Sequence, residues 1–566
     1  IELYARVPNT LHKDTACKKV ELFVGLEKPF LVINEKELRK FRDGINSRDY
    51  FYYDKVKDTF SLEKKSGLLT VPKEGELATF KLTANLDLDS IPWEPIAMDS
   101  VIFKGNFDGG NHTISKLFIE NTTTKRYYAG LFAQTGDGYI KNLGLINPSI
   151  TATAVENYAA GIVVNSYGRI DSCYVEGGFI HGRQFAGSIC ARHYSLASTT
   201  DSSYQILRCW NSAEVVGSIR VGGIVGQDVS CTKWCYNMGE VRTPNENDYT
   251  CRVGGIAGIT STPLHQCFNM GVVRGSKMVV GYTGGLVGEG YAVSSYNVGE
   301  VIGNKSTGTG GITGTFGGND YNLRTYNAAR VTGTGNTSPI NGSGYREQYS
   351  YFDSQLCPST RKINGTAMTT RQMLDSGLYE KSVELYPAAN KRSYWFSSEN
   401  GWTLVDTLYP QITYFAGTPA SIASVTPVKL VEGENVLSVA TDFLADTNRN
   451  VRWQLVAGGG LVVDDDSIHV KKDVIGIATL QDFINGVAYK KVRFILMSPE
   501  NPLIIRNMTE LKHFRDYINS GEVFYYRIDS TFHKTNLGME DELVEIPAGG
   551  EEGYFKLADT IFTFFD

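Results

Sequence analysis

RCWNSAEV ending at Val215, WCYNMGEV at Val241, QCFNMGVV at Val273, SSYNVGEV at Val301 and RTYNAARV at Val331 are one phrase written five times. Working outward, each follows a glycine phrase. AGSICA starts at Ala186, GGIVGQ at Gly222, GGIAGI at Gly254, GGLVGE at Gly284 and GGITGT at Gly310, with weaker versions AGLFAQ at Ala129 and AGIVVN at Ala160. The second glycine falls at Gly130, Gly161, Gly187, Gly223, Gly255, Gly285 and Gly311, steps that average about thirty residues. Repetition at that period, in short β-rich segments with no helical periodicity, is the mark of a solenoid, in which stacking supplies the burial one unit lacks. The reading is a parallel β-helix with two short strands per period. Seven rungs at a strand spacing of about 4.8 Å make a rod of roughly 34 Å. The glycine pairs are expected at crowded corners and positive-φ turns. Asn211, Asn237, Asn269, Asn297 and Asn327 are expected to stack as an amide ladder.

The GG[IL]xG…CYNxGxV pattern resembles the GLUG-motif repeats of bacterial surface proteins. Phe80 to Ile96 (FKLTANLDLDSIPWEPI) and Gly105 to Ile119 (GNFDGGNHTISKLFI) are similar to the lead-in of such repeats, so the resemblance covers about 28–417. It implies an adhesin-like protein of the cell surface, familiar from Bacteroides relatives, and no catalytic residues. Asp followed by Ser or Thr and an aliphatic residue, at Asp14, Asp89, Asp99, Asp406, Asp466 and Asp559, resembles the O-glycosylation acceptor pattern of those envelopes.

Composition narrows the function. A net charge of −6 speaks against nucleic acid, whose binders meet phosphates with Lys and Arg. No apolar run of about 18 residues is present, so no transmembrane segment is expected, and Ile1 reads as a mature or trimmed start.

The domain reading is all-β, with short capping helices. Residues 1–27 read as terminal strands of a preceding sandwich-like domain, 28–126 as solenoid lead-in and N-terminal cap, 127–340 as the repeats and 341–417 as the C-terminal cap. Residues 418–498 read as an immunoglobulin-like β-sandwich and 499–566 as the start of a second, incomplete solenoid unit. Asn34 is a candidate N-cap for a helix burying Leu38, Phe41 and Ile45, with Glu37 at capping-box spacing. Met368 to Tyr379 is a second candidate helix, and Trp395, Trp402 and Tyr409 would close that end. A longer repeat matches the stretch from Cys17 with that from Tyr489, and Phe80-Lys81-Leu82 with Phe555-Lys556-Leu557. A slice of a tandem array explains it; a strand that completes a neighbouring chain is the alternative.

Chemistry is sparse. Cys173, Cys209, Cys235 and Cys267 share a repeat slot that Ser295 and Thr325 also fill, which marks a place for a small buried side chain rather than a disulfide set or a metal site. The histidines are scattered and form no triad. Glu214 and Glu240, with Glu300, could pair as glycosidase carboxylates, but Val272 and Arg330 in the same slot favour exposed turn charges. Asp464 to Asp466 read as a solvated hairpin, and Asp87 and Asp89 as weak calcium candidates. The candidate binding residues are Trp210, Tyr236, Phe268, Tyr296 and Tyr326, one ring per rung, which serve as an exposed ladder in one register and as core in the other. The functional reading is an extracellular adhesin-like surface protein of the bacterial envelope, not an enzyme and without cofactors or metal. Its partner would be a host or cell-surface glycan or protein, or neighbouring copies and tandem units. A structural stalk is the alternative, and a β-helical polysaccharide lyase or hydrolase comes third.

Overall fold

The structure, a computed structural model, describes residues 31–46, 79–123, 127–194, 205–244, 250–277, 281–316 and 321–344, parts of 347–425, and beyond these chiefly the backbone of short strands. It divides into two units, 1–352 with 359–366 and 392–401, and 353–358 with 367–391 and 402–566.

The first unit is a parallel β-solenoid. Its first sheet has eight strands from Tyr128–Ala129 to Asn336–Ser338, its second has seven from Phe132–Thr135 to Thr313–Thr315, and its fourth has eight from Phe118–Asn121 to Val331–Thr332. The third sheet runs through the phrase around each asparagine. It extends N-terminally through Asn106–Ser115 and Thr79–Leu82 to Phe30–Val32, so the lead-in is itself coiled. The repeats stack as the sequence reading expects. Asn211 pairs with Asn237, Asn237 with Asn269, Asn269 with Asn297 and Asn297 with Asn327. Val215, Val241, Val273, Val301 and Val331 align in the fourth sheet. Val215, Val241 and Val273 bury against Ala186, Val221, Cys251 and Val253 of the first sheet, and each fully buried aliphatic side chain contributes about 1.5–3 kcal/mol.

Four details differ from expectation. A rung holds more than two strands: Arg220–Gly222, Val225–Asp228, Cys231–Lys233, Tyr236–Asn237 and Val241–Arg242 make one turn. The third sheet bends at a residue of positive φ that is not glycine, namely Ser172, Arg208, Trp234, Gln266, Ser294 and Arg324, at 48° to 56°. The amide of each such corner donates to a carbonyl of the next rung, as Arg208 does to Lys233 at 3.2 Å and Ser294 to Leu323 at 2.9 Å. These bonds hold a conformation that costs an L-residue about 1–2 kcal/mol.

The glycine pairs, by contrast, do not adopt positive φ; crowding selects them. A Cβ on Gly223 would stand 2.2 Å from the Gly255 carbonyl oxygen and 2.5 Å from Asn237 Cγ. The two halves of the repeat phrase therefore touch: the second glycine makes room for the asparagine. One rung is also shifted, because Gly187 pairs with Gly222 and Ser188 takes the place of the second glycine.

The helix Glu35–Ser47 caps the N-terminal end. Asn34 Oδ1 accepts the Glu37 amide at 3.0 Å, and Leu38, Phe41 and Ile45 are buried. Phe41 sits 4.5 to 6.5 Å from the rings of Phe80, Phe103, Phe107 and Phe132 and plugs the solenoid. Asn46 ties the helix to the chain beyond Pro95 by accepting the Ala97 amide at 2.7 Å.

In the second unit Trp402–Thr403 pairs with Gln411–Ile412, and Tyr409 donates to Asp353 at 2.7 Å. Of the helix expected from Met368, Thr370–Met373 is helical, and residues 375–379 and Trp395 lie outside the described residues. Pro419–Val425 adds a helix the sequence reading did not foresee. Beyond it stand a four-stranded sheet in the order Lys429–Gly433, Val487–Leu496, Ile477–Ile484, Val451–Ala457, and a three-stranded antiparallel sheet of Ser438–Ala440, Ser467–Val470 and Leu461–Asp464. The two copies of the long repeat pair differently. Phe80-Lys81-Leu82 lies parallel to Phe30–Val32, whereas Phe555-Lys556-Leu557 lies antiparallel to residues 560–562.

Candidate functional site

On the third sheet the asparagines turn toward the glycine pairs, and their neighbours in the chain turn away as a column of rings. Tyr174 begins it, lying over Gly144, where a Cβ would meet Tyr174 Cζ at 2.4 Å. Trp210 follows at 4.6 Å, Tyr236 at 6.0 Å, Phe268 at 4.8 Å, Tyr296 at 5.0 Å and Tyr326 at 4.8 Å, each pair coplanar within 6°. Parallel in-register strands impose this spacing, since equivalent side chains recur at every strand.

The column divides in two. Tyr174, Trp210 and Tyr236 are partly exposed, whereas Phe268, Tyr296 and Tyr326 are fully buried. Phe396 stands edge-on to Tyr326 at 5.8 Å, and Gly401 lies against the side chain of Gln266, so these two residues close over that end. Of the five candidate residues only Trp210 and Tyr236 remain accessible. Tyr174, which the sequence reading left out, joins them; the signal was its place after Cys173, as each other ring follows a cysteine-slot residue. Glu176 is half-buried beside them, and desolvation raises its pKa. Burial, and then the Glu176 carboxylate, raises the Tyr174 and Tyr236 phenols in turn. The exposed ring edges and the carboxylate beside them can pack on an apolar surface and accept hydroxyl protons.

The other candidates are occupied. Glu214 pairs with Arg242 and Glu240 with Arg274, each at 2.7 Å, so neither carboxylate is free for acid–base work. Cys173, Cys209, Cys235 and Cys267 are buried free thiols whose Sγ atoms donate to carbonyls two residues back. Lys116 Nζ lies 2.8 Å from Asp87 and 3.7 Å from Asp89. Asp464 ends a hairpin strand opposite Ser467, while Asp465 and Asp466 lie outside the described residues. Among the described residues no cluster of three or more His, Cys, Asp or Glu could hold a metal ion. Asp89-Ser90 and Asp99-Ser100 occupy exposed positive-φ turns; the other four candidate glycosylation positions lie outside the described residues. The sequence reading missed a buried pair, His193 Nδ1 with Asp228 Oδ1 at 3.0 Å, in which Thr232 also donates to Asp228 at 2.8 Å.

Fold and site together define a parallel β-solenoid with a partly exposed aromatic column. No family model matches the chain. A stretch of 153 residues is 30% identical to an Evansella cellulosilytica protein named "Putative Gly-rich membrane protein", covering 26% of this chain and 17% of the other. The chain thus spans about a sixth of the length of that curated relative. A Bacteroides ovatus crystal structure, of a "putative immunoglobulin A1 protease", superposes at a TM-score of 0.37 with 18% identity, over 65% of this chain and 92% of that one. At that TM-score the likeness speaks to neither fold nor activity here. No helix among the described residues is long and apolar enough to cross a membrane.

Proposed function

We propose that this chain is a GLUG-type, adhesin-like protein of the bacterial cell surface, with an immunoglobulin-like spacer, and that it binds a host or cell-surface glycan or protein through a rigid repeat face. The observation that supports this most is the partly exposed trio Tyr174, Trp210 and Tyr236, stacked within 6° on a backbone that cannot flex without breaking ladder bonds. Preformed rings cost little entropy to engage, and repeated copies of such a face multiply weak contacts. A stalk that only holds something away from the cell is the second reading, favoured by the rod-like stacking and the second copy of the lead-in sequence. Fold does not choose between them; the site must.

The test is retention of the full chain on immobilised glycans, mucin and matrix proteins, with new reducing ends scored alongside. Trp210→Ala and Tyr236→Ala are each expected to weaken retention about tenfold, which corresponds to about 1.4 kcal/mol. Retention unchanged by either variant refutes the aromatic face, silence on every surface favours the stalk, and new reducing ends overturn the non-enzymatic reading.

A further inference from the structure

A second row of rings lies on different sheets. In register, the strands place Ala133, Val164 and Ala191 where later rungs have Gly226, Gly258, Gly288 and Gly314. In the glycine rungs the first and second sheets close tightly. A Cβ on Gly258 would lie 2.5 Å from the Val221 nitrogen, and one on Gly288 would lie 2.6 Å from that of Val253. In the earlier rungs Val164 and Ala191 instead pack with Phe185, and Tyr128 and Tyr158 pack beside them. Tyr128 stacks on Tyr158 at 5.3 Å, and Tyr158 meets Phe185 at 4.6 Å. The two sheets thus form an aromatic-floored corner over three rungs, and the first-sheet row continues in register from Phe185 to Arg220 and Arg252.

Three arginines gather at this floor. The Arg192 guanidinium lies 5.4 Å from the Tyr158 ring, 5.2 Å from Phe185 and 4.7 Å from Tyr194, and that of Arg220 lies 4.9 Å from Phe185. Arg252 is paired with Glu289 at 2.7 Å. Among the described residues Arg192 and Arg220 have no such partner. Among the described residues each makes one hydrogen bond, Arg192 to the Tyr158 hydroxyl at 3.4 Å and Arg220 to Gln227 at 2.5 Å, and the Nε of each is buried without a partner. The remaining acids nearby are Glu156, beside Tyr158, and Asp228, which is turned inward to His193. Burial, and then the charges of Arg252 and Arg192, lower the pKa of Arg220. Two guanidinium groups against one phenyl ring are held planar and under-satisfied, the arrangement that receives a carboxylate in bidentate fashion.

We propose that this corner binds an acidic polysaccharide, its carboxylates received by Arg192 and Arg220 and its sugar rings packed against the partly exposed edges of the Tyr128–Tyr158 stack. A uronate offers both parts at once, a flat C–H face and a carboxylate on the ring edge. An acidic peptide supplies the charge without the flat face, and of the first-sheet strands at this corner only the two-residue Tyr128–Ala129 is an edge it could join.

The full chain would be titrated with polygalacturonate, with fully methyl-esterified polygalacturonate, with neutral dextran and with poly-L-glutamate. Binding of the free acid alone, weakening with salt, is expected. R192Q/R220Q should lower affinity at least tenfold, and R192K/R220K, which keeps the charge but not the planar fork, should lower it less. R274Q on the fourth sheet, outside both this corner and the aromatic column, should leave it unchanged, so that a loss is specific to the corner. Equal binding of the ester, unchanged binding by R192Q/R220Q, or poly-L-glutamate matching polygalacturonate per carboxylate would each overturn the proposal. Should the glutamine variant unfold, the lysine variant decides: affinity equal to the wild type there also counts against it.

Discussion

Asn269→Ala, like Asn237→Ala and Asn297→Ala with the same four bonds, should be among the most damaging single truncations in the asparagine ladder. Asn269 Nδ2 donates to the Gly271 carbonyl at 2.8 Å and to Asn297 Oδ1 at 2.9 Å, while its Oδ1 accepts from Asn237 Nδ2 at 2.8 Å and from the Gly271 amide at 3.2 Å. Four buried bonds at about 0.5–1.5 kcal/mol net each give about 2–6 kcal/mol. The Gly271 amide also reaches the Asn237 carbonyl at 3.3 Å, so it is not orphaned, and the lower half of that range applies. Asn211, at the ladder's start, bonds to Ala213 twice and to Asn237 once, so Asn211→Ala should cost about 1 kcal/mol less. Asn269→Asp should do worse than alanine at neutral pH, because a carboxylate has no donor for Asn297 or for Gly271, and it should recover in part as acid protonates it. Guanidinium unfolding of the full chain measures all three. A cost below about 1 kcal/mol for Asn269→Ala, or equal costs at Asn269 and Asn211, would refute the ladder as a cooperative device.

Glycines separate by environment. A Cβ on Gly255 would strike the Gly285 carbonyl oxygen at 2.2 Å and Asn269 Cγ at 2.3 Å, so Gly255→Ala should cost about 3 kcal/mol or more. Gly44, inside the capping helix, has nothing within 4 Å, and Gly44→Ala should stabilise by about 0.5–1 kcal/mol; thermal melts of the two variants moving the same way would contradict both. Stability should also fall in mild acid. Burial, then Arg242 and Arg183, lower the pKa of His181 to about 4 from 6.5, so the neutral form belongs to the fold and its contribution is lost as pH drops from 6.5 toward 4. Between pH 7 and pH 5 that is about 2 kcal/mol, which His181→Asn should remove, and equal pH slopes for the two proteins would disprove it.

The parts of this fold that were legible in its sequence are those in which one residue type does one job at every rung. Asn237 and its equivalents serve amide bonding and the aligned valines serve burial, and Asn34 announces its helix by a local cap. The third-sheet corner was not legible, because Ser172, Arg208, Trp234 and Gln266 share a backbone angle and no side-chain chemistry; the ladder bonds impose the angle. Nor could the pattern say which rings are accessible, since Phe268, Tyr296 and Tyr326 are buried and Phe396, far along the chain, stands against Tyr326. The arginine corner combines residues from two sheets, and only the rung register brings Arg192 and Arg220 to the same ring.

The ladder also has a direction. Each asparagine from Asn211 to Asn297 gives an amide hydrogen to the next rung and each from Asn237 to Asn327 takes one from the rung before, while Asn211 is paired on its N-terminal side with Val175 and Asn327 on its C-terminal side with Phe352. A duplicated or deleted period between those two apolar ends leaves every remaining amide with a donor behind it and an acceptor ahead. The molecule can therefore change its reach in whole steps of about 4.8 Å while both caps stay as they are. An insertion of any other length would fall in the corners or be rejected, which makes rung number the variable along which such a chain can evolve.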